Sequence, residues 1–259
     1  TQFQLTGGNG DFIANAYDAA TGEPVLSAVK GSGEYTFDFG ASGTYQIAIV
    51  PDEDSSAPFD QILFNDTGDR LKVTRLVSLG NIVWGNLFSI FSGFEGCENM
   101  NTPDILPKPD LTQAFSIGDL FNKCTLFDAD ISHWDVSVIS RMNRVFRNTA
   151  FNHSLEKWDI GSVEDDQGSA RGMNSMLDGS AMSVENYSRT LIGFANYHKA
   201  NGAPDSVDFS GQSGMEYDDT TYPDVETHGA TSPFTDAVAA RAYLIATALW
   251  TITGDTDVS

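Results

Sequence analysis

The sequence has few basic residues. Its 259 residues include 14 Lys and Arg but 36 Asp and Glu, which gives a formal net charge of −22 at pH 7. This charge argues against nucleic acids and anionic membrane surfaces as partners, because both would repel the chain. The acids are interpreted as a solubilising surface suited to a saline habitat, or as ligands for hard cations such as Ca²⁺, which prefers carboxylate oxygens. Both interpretations can hold at once.

Cysteine is also scarce, and no apolar run is long enough to span a bilayer. The two cysteines, Cys97 and Cys124, do not make a disulfide scaffold. They hold the same position in adjacent repeat units, so both a disulfide bridge and a pair of reduced thiols remain open. Thr1 begins in mid-pattern without a signal peptide, and we expect the chain to be a piece of a larger protein. With 41% hydrophobic and 11% aromatic residues, it has enough material for a folded core.

Residues 1–78 are predicted to form a β-rich N-terminal cap. The segments YTFDFG, GTYQIAIV and DQILFN combine apolar, β-branched and aromatic residues, and Gly, Asp, Ser and Pro separate them. This pattern is typical of short strands joined by turns.

Residues 79–183 contain imperfect repeats. The segment FNKCTLFDADISHWDVSVISRM is matched by FRNTAFNHSLEKWDIGSV, in which Phe121 aligns with Phe146 at a spacing of 25 residues. A period of this length predicts stacked units. Within a unit, residues 127–134 are interpreted as a strand and residues 138–146 as a helix. Four residues beside the tryptophans are interpreted as helix N-caps rather than catalytic groups: Asp135, Ser137, Asp159 and Ser162.

Residues 184–259 are predicted to form a helical C-terminal cap. The segment SVENYSRTLIGFANYHK has an apolar face at helical spacing, with Ser183 as its N-cap. FTDAVAARAYLIATAL is predicted as a second helix, followed by a short strand at WTIT.

The repeat and tail motifs resemble the BspA-like leucine-rich repeat family of bacterial surface proteins. The resemblance rests on LFNKCTLFDADISHWDVSVISRM, VFRNTAFNHSLEKWDIGSV, ENYSRTLIGFANY, AVAARAYLI and WTITGD, and it covers roughly residues 35 to 255. It implies an α/β solenoid. Similar modules are calcium-dependent peptide-binding domains of large bacterial RTX adhesins. The resemblance therefore implies a secreted or cell-surface, non-enzymatic and monomeric module of a longer chain. Such a module grips the free carboxyl end of a peptide or protein on a host or neighbouring cell, with help from Ca²⁺.

Two insertions interrupt the family pattern, and insertions in repeat proteins often fall on the binding face. The first is EDDQGSARG after Val163, and the second is GMEYDDTTYPDVETHGATSPF in the tail. The predicted calcium ligands are Glu164, Asp165, Asp166, Asp218, Asp219 and Asp224, because clustered carboxylates favour a cation between them. The predicted peptide-binding residues are Arg171, Gln167, Tyr217, Tyr222 and His133, with Arg171 as a bidentate partner for a carboxylate. Solvated acidic loops, with Arg171 in a surface ion pair, remain the alternative.

A groove on the repeat face is a further expectation. Its candidate residues are Asp128, Asp130, His133, Asn152, His153 and Glu156. Neither His133 nor His153 belongs to a Cys/His cluster that would predict zinc, and both are expected at the surface. A structural spacer without a small ligand is the alternative function. A carboxylate-pair glycosidase is the least favoured, because the recurring carboxylates follow the repeat and no unique acid–base pair is present.

Overall fold

The computed structural model describes residues 2–5, 8–56, 59, 61–80, 82–84, 92–164 and 172–259. Short strands dominate the N-terminal part. They are β1 (Gln2–Leu5), β2 (Gly8–Asn9), β3 (Asp11–Asp18), β4 (Pro24–Ser32), β5 (Tyr35–Asp38), β6 (Tyr45–Pro51) and β7 (Gln61–Ile62). A 3₁₀ turn follows at Arg70–Lys72. The expected β-rich character of this region is therefore confirmed.

The N-terminal sheets are small and antiparallel. β3 lies between β4 and β6, while β1 pairs with β5 and β2 with β7. Phe12, Ala14 and Ala16 alternate along β3 with partly exposed residues and are buried. This period of two arises because successive side chains of a strand point to opposite faces of the sheet. Gly31 of β4 lies directly against the rings of Phe12 and Tyr35, so a side chain there would displace them.

The middle of the chain consists of turns joined by long-range hydrogen bonds. The Phe94 N–H donates to the Leu120 carbonyl (3.0 Å), and the Phe121 N–H donates to the Val145 carbonyl (3.2 Å). Isolated parallel bridges such as Ser116 to Arg141 have similar spacing. Some backbone N–H groups of each unit thus donate to carbonyl groups of the unit that follows it.

Aromatic rings form a continuous stack through this region. Phe94 lies 6.1 Å from Phe121 between ring centroids, and Phe121 stacks on Phe127 at 3.9 Å. The row continues from Phe127 to Phe146 at 6.2 Å and from Phe146 to Phe151 at 4.0 Å. Four of these rings are fully buried and Phe94 is nearly so, which places the core of the middle region along this row.

The predicted α/β solenoid is wrong. The described residues form small, mostly antiparallel sheets and two helices, and no solenoid. The segments 127–134 and 138–146, predicted as a strand and a helix, instead contain turns and isolated bridges. Within the second segment the Ile139 N–H donates to Val136 O at 2.9 Å, and Arg144 has a φ of 55°. Such turns bring residues three apart to one side, as a helix does, but a left-handed residue ends any right-handed helix.

The residues predicted as helix N-caps stabilise turns instead. Asp135 Oδ1 accepts hydrogen bonds from the N–H and hydroxyl of Ser137, and Asp159 Oδ1 accepts from the Gly161 N–H at 3.0 Å. The Ser162 hydroxyl donates to the Ser137 carbonyl of the preceding unit. The N-cap prediction is therefore wrong; Asx turns and N-caps use the same short-range hydrogen bond, so the same residue types occupy both.

The first predicted tail helix is confirmed as α1 (Val184–Asn201). The Ser183 hydroxyl accepts from the Asn186 N–H, as expected of an N-cap, and Gly202 ends the helix in the left-handed conformation with a φ of 72°. The predicted apolar face is fully buried. It consists of Tyr187, Leu191, Phe194 and Ala195.

The second predicted helix is confirmed as α2 (Ala237–Ala246), and the predicted WTIT strand appears as β10 (Thr251–Ile252). β10 pairs in parallel with β8 (Asp208–Phe209). β11 (Thr256–Asp257) pairs in parallel with β9 (Glu216–Tyr217). In the described part of the chain, no helix has the length and apolar character needed to cross a membrane.

A buried ion pair joins α2 to the chain just before β11. Arg241 donates to both carboxylate oxygens of Asp255, at 2.8 and 2.7 Å, and the Tyr187 hydroxyl donates to the same carboxylate at 2.9 Å. The Asp255 side chain is 0% exposed. The hydrogen bonds that Arg241 donates to Asp255 raise the pKa of its guanidinium, and burial raises the pKa of the Tyr187 hydroxyl. The tail is therefore held by a charged network as well as by apolar packing.

Candidate ligand-binding site

A polar groove lies between the turn-rich middle region and the N-terminal half of α1. Its volume is about 200 Å³, which is below the 300–1,000 Å³ typical of pockets that enclose a drug-sized ligand. A groove of this size fits a short polar group or the end of a chain. It is lined by Asp130, Ser132, His153, Ser154, Glu156, Lys157, Asn186 and Arg189.

Arg189 is held by carboxylates on two sides. Its Nε and Nη2 atoms donate to the two oxygens of Glu156, at 2.7 and 3.0 Å. Its Nη1 and Nη2 atoms also donate to Asp224, at 3.0 and 3.4 Å. The pKa of Arg189 is raised mainly by its hydrogen bond to Glu156. The hydrogen bond to Asp224 is the next largest cause that raises this pKa. The guanidinium is therefore fully charged and fixed in orientation.

The wall of the groove is held rigidly against α1. Gly193 lies directly on the backbone of Glu156, and a Cβ at Gly193 would lie 2.7 Å from the Glu156 Cβ. The Leu155 N–H donates to the Thr190 hydroxyl at 3.0 Å. His228 of the tail loop contacts the Glu156 carbonyl through Nε2 at 2.8 Å. The helix, the middle region and the tail loop thus meet at Glu156.

The groove contains charges of both signs. Burial pushes the pKa of Asp130 upward, but hydrogen bonds from Ser132 and the nearby His153 outweigh it, so the pKa lies below its ordinary value. Asp130 is therefore ionised at neutral pH. Lys157 lies exposed at the groove. Among the described residues, the lining contains two basic side chains, Lys157 and Arg189, and two carboxylates, Asp130 and Glu156, in a chain whose formal net charge is −22.

The tail insertion packs beside this site. The Tyr222 ring centroid lies 5.6 Å from the Arg189 guanidinium, a cation–π distance. The Asp218 N–H donates to the Ser188 hydroxyl at 3.2 Å, and the Tyr222 hydroxyl donates to Asp218 Oδ1 at 3.4 Å. The second of the two predicted site loops therefore reaches the groove through Arg189.

The predicted calcium ligands fall into three groups. Asp165 and Asp166 lie outside the described residues. Glu164 pairs with Arg141 at 3.1 Å, and Asp224 pairs with Arg189. Asp219 is exposed, whereas Asp218 is hydrogen-bonded to Thr220, Ser188 and Tyr222. Among the described residues, no group of three or more His, Cys, Asp or Glu side chains is arranged to hold a metal ion.

The predicted peptide-binding residues are likewise divided. Gln167 and Arg171 lie outside the described residues. Tyr217 and Tyr222 are buried at 8% and 9% exposure, and their rings pack against arginines, Tyr217 against Arg241 at 5.2 Å. They anchor the tail loop rather than present free ring faces. His133 is exposed and is not among the residues that line the groove.

The groove expected from the repeat alignment is partly present. Asp130, His153 and Glu156 line it, while Asp128 lies beside it and contacts His153 at 3.3 Å. The sequence predicts α1 only as part of the C-terminal cap, and its contribution to the groove was not predicted. The missed signal is a pair of polar residues at a spacing of three, which lie on one helix face: Asn186 and Arg189.

The two cysteines are free thiols, which settles the alternative left open by the sequence. The Cys124 Sγ donates to the Phe94 carbonyl at 3.0 Å. Burial raises the pKa of Cys97 to about 12 and that of Cys124 well above its ordinary value. Both thiols are therefore protonated core groups without the thiolate character of a nucleophile.

Residues 88–201 match the model of a family described as "Mycoplasma protein of unknown function, DUF285". The match includes the turn-rich middle region and all of α1, and hence every residue that lines the groove. Comparisons with curated proteins and with solved structures found no match. The family description assigns no activity.

Proposed function

We propose that this chain is a ligand-binding module that takes the free carboxyl end of a peptide in the groove beside α1. The observation that carries the proposal is the presence of Lys157 and Arg189 in a polar groove of an otherwise strongly acidic chain. A peptide end supplies one negative charge and two acceptor oxygens, which suit a guanidinium and an ammonium group.

The other groups of the groove fit the remainder of a peptide end. Peptide N–H groups need acceptors, and the ionised carboxylate of Asp130 and the hydroxyls of Ser132 and Ser154 are candidates. The volume of about 200 Å³ favours one or two terminal residues over a whole folded ligand. Specificity would then come from the charge and geometry of the terminus, with modest dependence on the preceding sequence.

Calcium dependence and an adhesin setting remain part of this proposal through the resemblance and the acidic composition. The described members of the predicted calcium set do not form a ligand cluster, since Glu164 and Asp224 are paired with arginines. Calcium dependence is therefore a prediction that rests on the other members of the set, Asp165, Asp166, Asp218 and Asp219, and no step of peptide binding is derived through the ion. The partner would be a peptide or protein C-terminus on another cell surface.

The experiment is a capture assay with two peptide pools. Immobilised protein is incubated with N-acetylated hexapeptides that end in a free carboxylate, or with the same pool amidated at that end, and bound peptides are identified by mass spectrometry. Each pool is tested with CaCl₂ and with a chelator. We expect enrichment from the free-carboxylate pool and little from the amidated pool. Loss of this enrichment in chelator would support the calcium prediction.

The outcomes separate the module from a spacer. Equal enrichment from both pools would contradict recognition of the carboxyl end. No enrichment from either pool under either condition would contradict peptide binding altogether and favour a structural repeat without a small ligand.

A further inference from the structure

The contacts of Arg189 distinguish its two carboxylate partners. Glu156 accepts two short hydrogen bonds from Nε and Nη2 of Arg189, and its side chain is 8% exposed. Asp224 accepts hydrogen bonds from Nη1 and Nη2 of Arg189, at 3.0 and 3.4 Å, and its side chain is 76% exposed. Glu156 lines the groove, whereas Asp224 is an exposed side chain of the tail loop and is not among the lining residues.

The two contacts also differ in how easily they are replaced. Separating Glu156 from Arg189 would leave a buried charge without a partner, which is costly. Separating Asp224 would return an exposed carboxylate to water, and exposed ion pairs of this kind contribute little to stability. The end of the guanidinium that faces Asp224 is thus the part of Arg189 that an incoming anion can take.

We propose that Arg189 receives the carboxyl end of the ligand, and that Asp224 is an internal carboxylate that occupies this place until the ligand displaces it. This inference rests on the proposed function and names the contact within the same groove. One carboxylate replaces another in the same two-bond geometry, so the net charge directly at Arg189 does not change. Tyr222 and Glu156 keep the guanidinium in position during the exchange.

The exchange predicts that Asp224 weakens ligand binding. While Asp224 is paired, only a fraction of the molecules offers a free guanidinium end, and the apparent affinity falls by that fraction. An exposed ion pair corresponds to about a 2–5-fold population bias. We therefore expect Asp224→Asn to bind a free carboxylate about 2–5-fold more tightly than the unmodified chain.

The matched control is Glu216→Gln. Glu216 is an exposed carboxylate eight positions earlier in the same tail insertion, so its replacement changes the net charge of −22 by the same amount. Any gain that comes only from lower overall repulsion appears in both variants. A third variant, Arg189→Lys, keeps the charge but removes the two-bond geometry, and we expect it to bind at least about tenfold more weakly.

The experiment is an NMR titration of the four proteins with N-acetyl-trialanine and with its C-terminal amide, with folding of each variant checked by circular dichroism. Tighter binding of the acid by Asp224→Asn than by Glu216→Gln, together with the loss in Arg189→Lys, supports the exchange. If the unmodified chain prefers the acid but Asp224→Asn binds it no more tightly than Glu216→Gln, or Arg189→Lys binds as tightly as the unmodified chain, the exchange is wrong and carboxyl-end recognition stands. If the unmodified chain shows no preference for the acid, the proposed function fails, and this inference fails with it.

Discussion

Replacing Asp255 by Ala should lower the free energy of unfolding by about 3–5 kcal/mol. The Asp255 carboxylate is fully buried and accepts two hydrogen bonds from Arg241 and one from Tyr187. Its loss leaves a largely buried guanidinium and a buried hydroxyl without their acceptor, and each hydrogen bond to a charged group contributes about 1.5–3 kcal/mol. For a chain of this size the expected fall in Tm is on the order of 10 °C.

Urea unfolding followed by circular dichroism measures this change. The matched control is Asp257→Ala, which removes an exposed carboxylate two residues away and should change stability by no more than about 0.5 kcal/mol. The double variant of Arg241 and Asp255 to Ala should cost clearly less than the sum of the two single changes, because both remove the same ion pair. A loss below about 1 kcal/mol for Asp255→Ala, or additive single effects, would refute the assignment of this network as a stabilising contact.

Three further predictions follow from the core and from the contact between α1 and the groove. Cys97 and Cys124 should resist a thiol reagent at pH 8 in the folded chain, because both are buried and burial raises the pKa of Cys97 to about 12. Both should react fully in denaturant, and rapid labelling of the native chain would contradict this prediction. Phe121→Ala should cost about 3–5 kcal/mol in chemical unfolding, since the ring is fully buried within the aromatic row, and a cost near zero would refute that row as the core. Replacing Gly by Ala inside a helix normally stabilises the protein by about 1 kcal/mol. Gly193→Ala should instead lower the free energy of unfolding by about 1–3 kcal/mol and weaken peptide binding, because the new methyl group meets Glu156. A stabilised variant would mean that residue 193 and Glu156 are not in contact.

The two tail helices could be predicted from the sequence because their information is local. The apolar face of α1 repeats at helical spacing, and Ser183 and Gly202 mark its ends. The middle region could not be predicted in the same way. Apolar residues of the middle region also recur at short spacing, but this spacing comes from turns, such as the one closed by the Ile139 N–H and the Val136 carbonyl. Residues in the left-handed conformation, such as Arg144, separate these turns. Periodicity alone does not separate such turns from a helix.

The sequence predicts only those groove residues that belong to the aligned repeats. Asp130 and Glu156 follow from that alignment, whereas Arg189 comes from another part of the chain. Asp224 was interpreted as a metal ligand because it belongs to an acidic loop. Its ion pair with Arg189 joins positions 35 residues apart, and no local pattern reveals a contact of that separation. The composition therefore gives the number of carboxylates but not the side chains with which they pair.

The most direct test of carboxyl-end recognition is to locate a bound peptide on the ¹⁵N-labelled chain by NMR. A pool-selected peptide with a free carboxylate should shift the Arg189 Nε–H and Asn186 side-chain signals, and leave the Trp84 indole signal unchanged because that side chain is buried and donates to Leu79. Its amidated form should shift neither groove signal. A second groove of about 430 Å³ is lined by Lys108 and Asp135, among others. Changes centred on that groove, or the same shifts from both peptides, would contradict carboxyl-end recognition at α1.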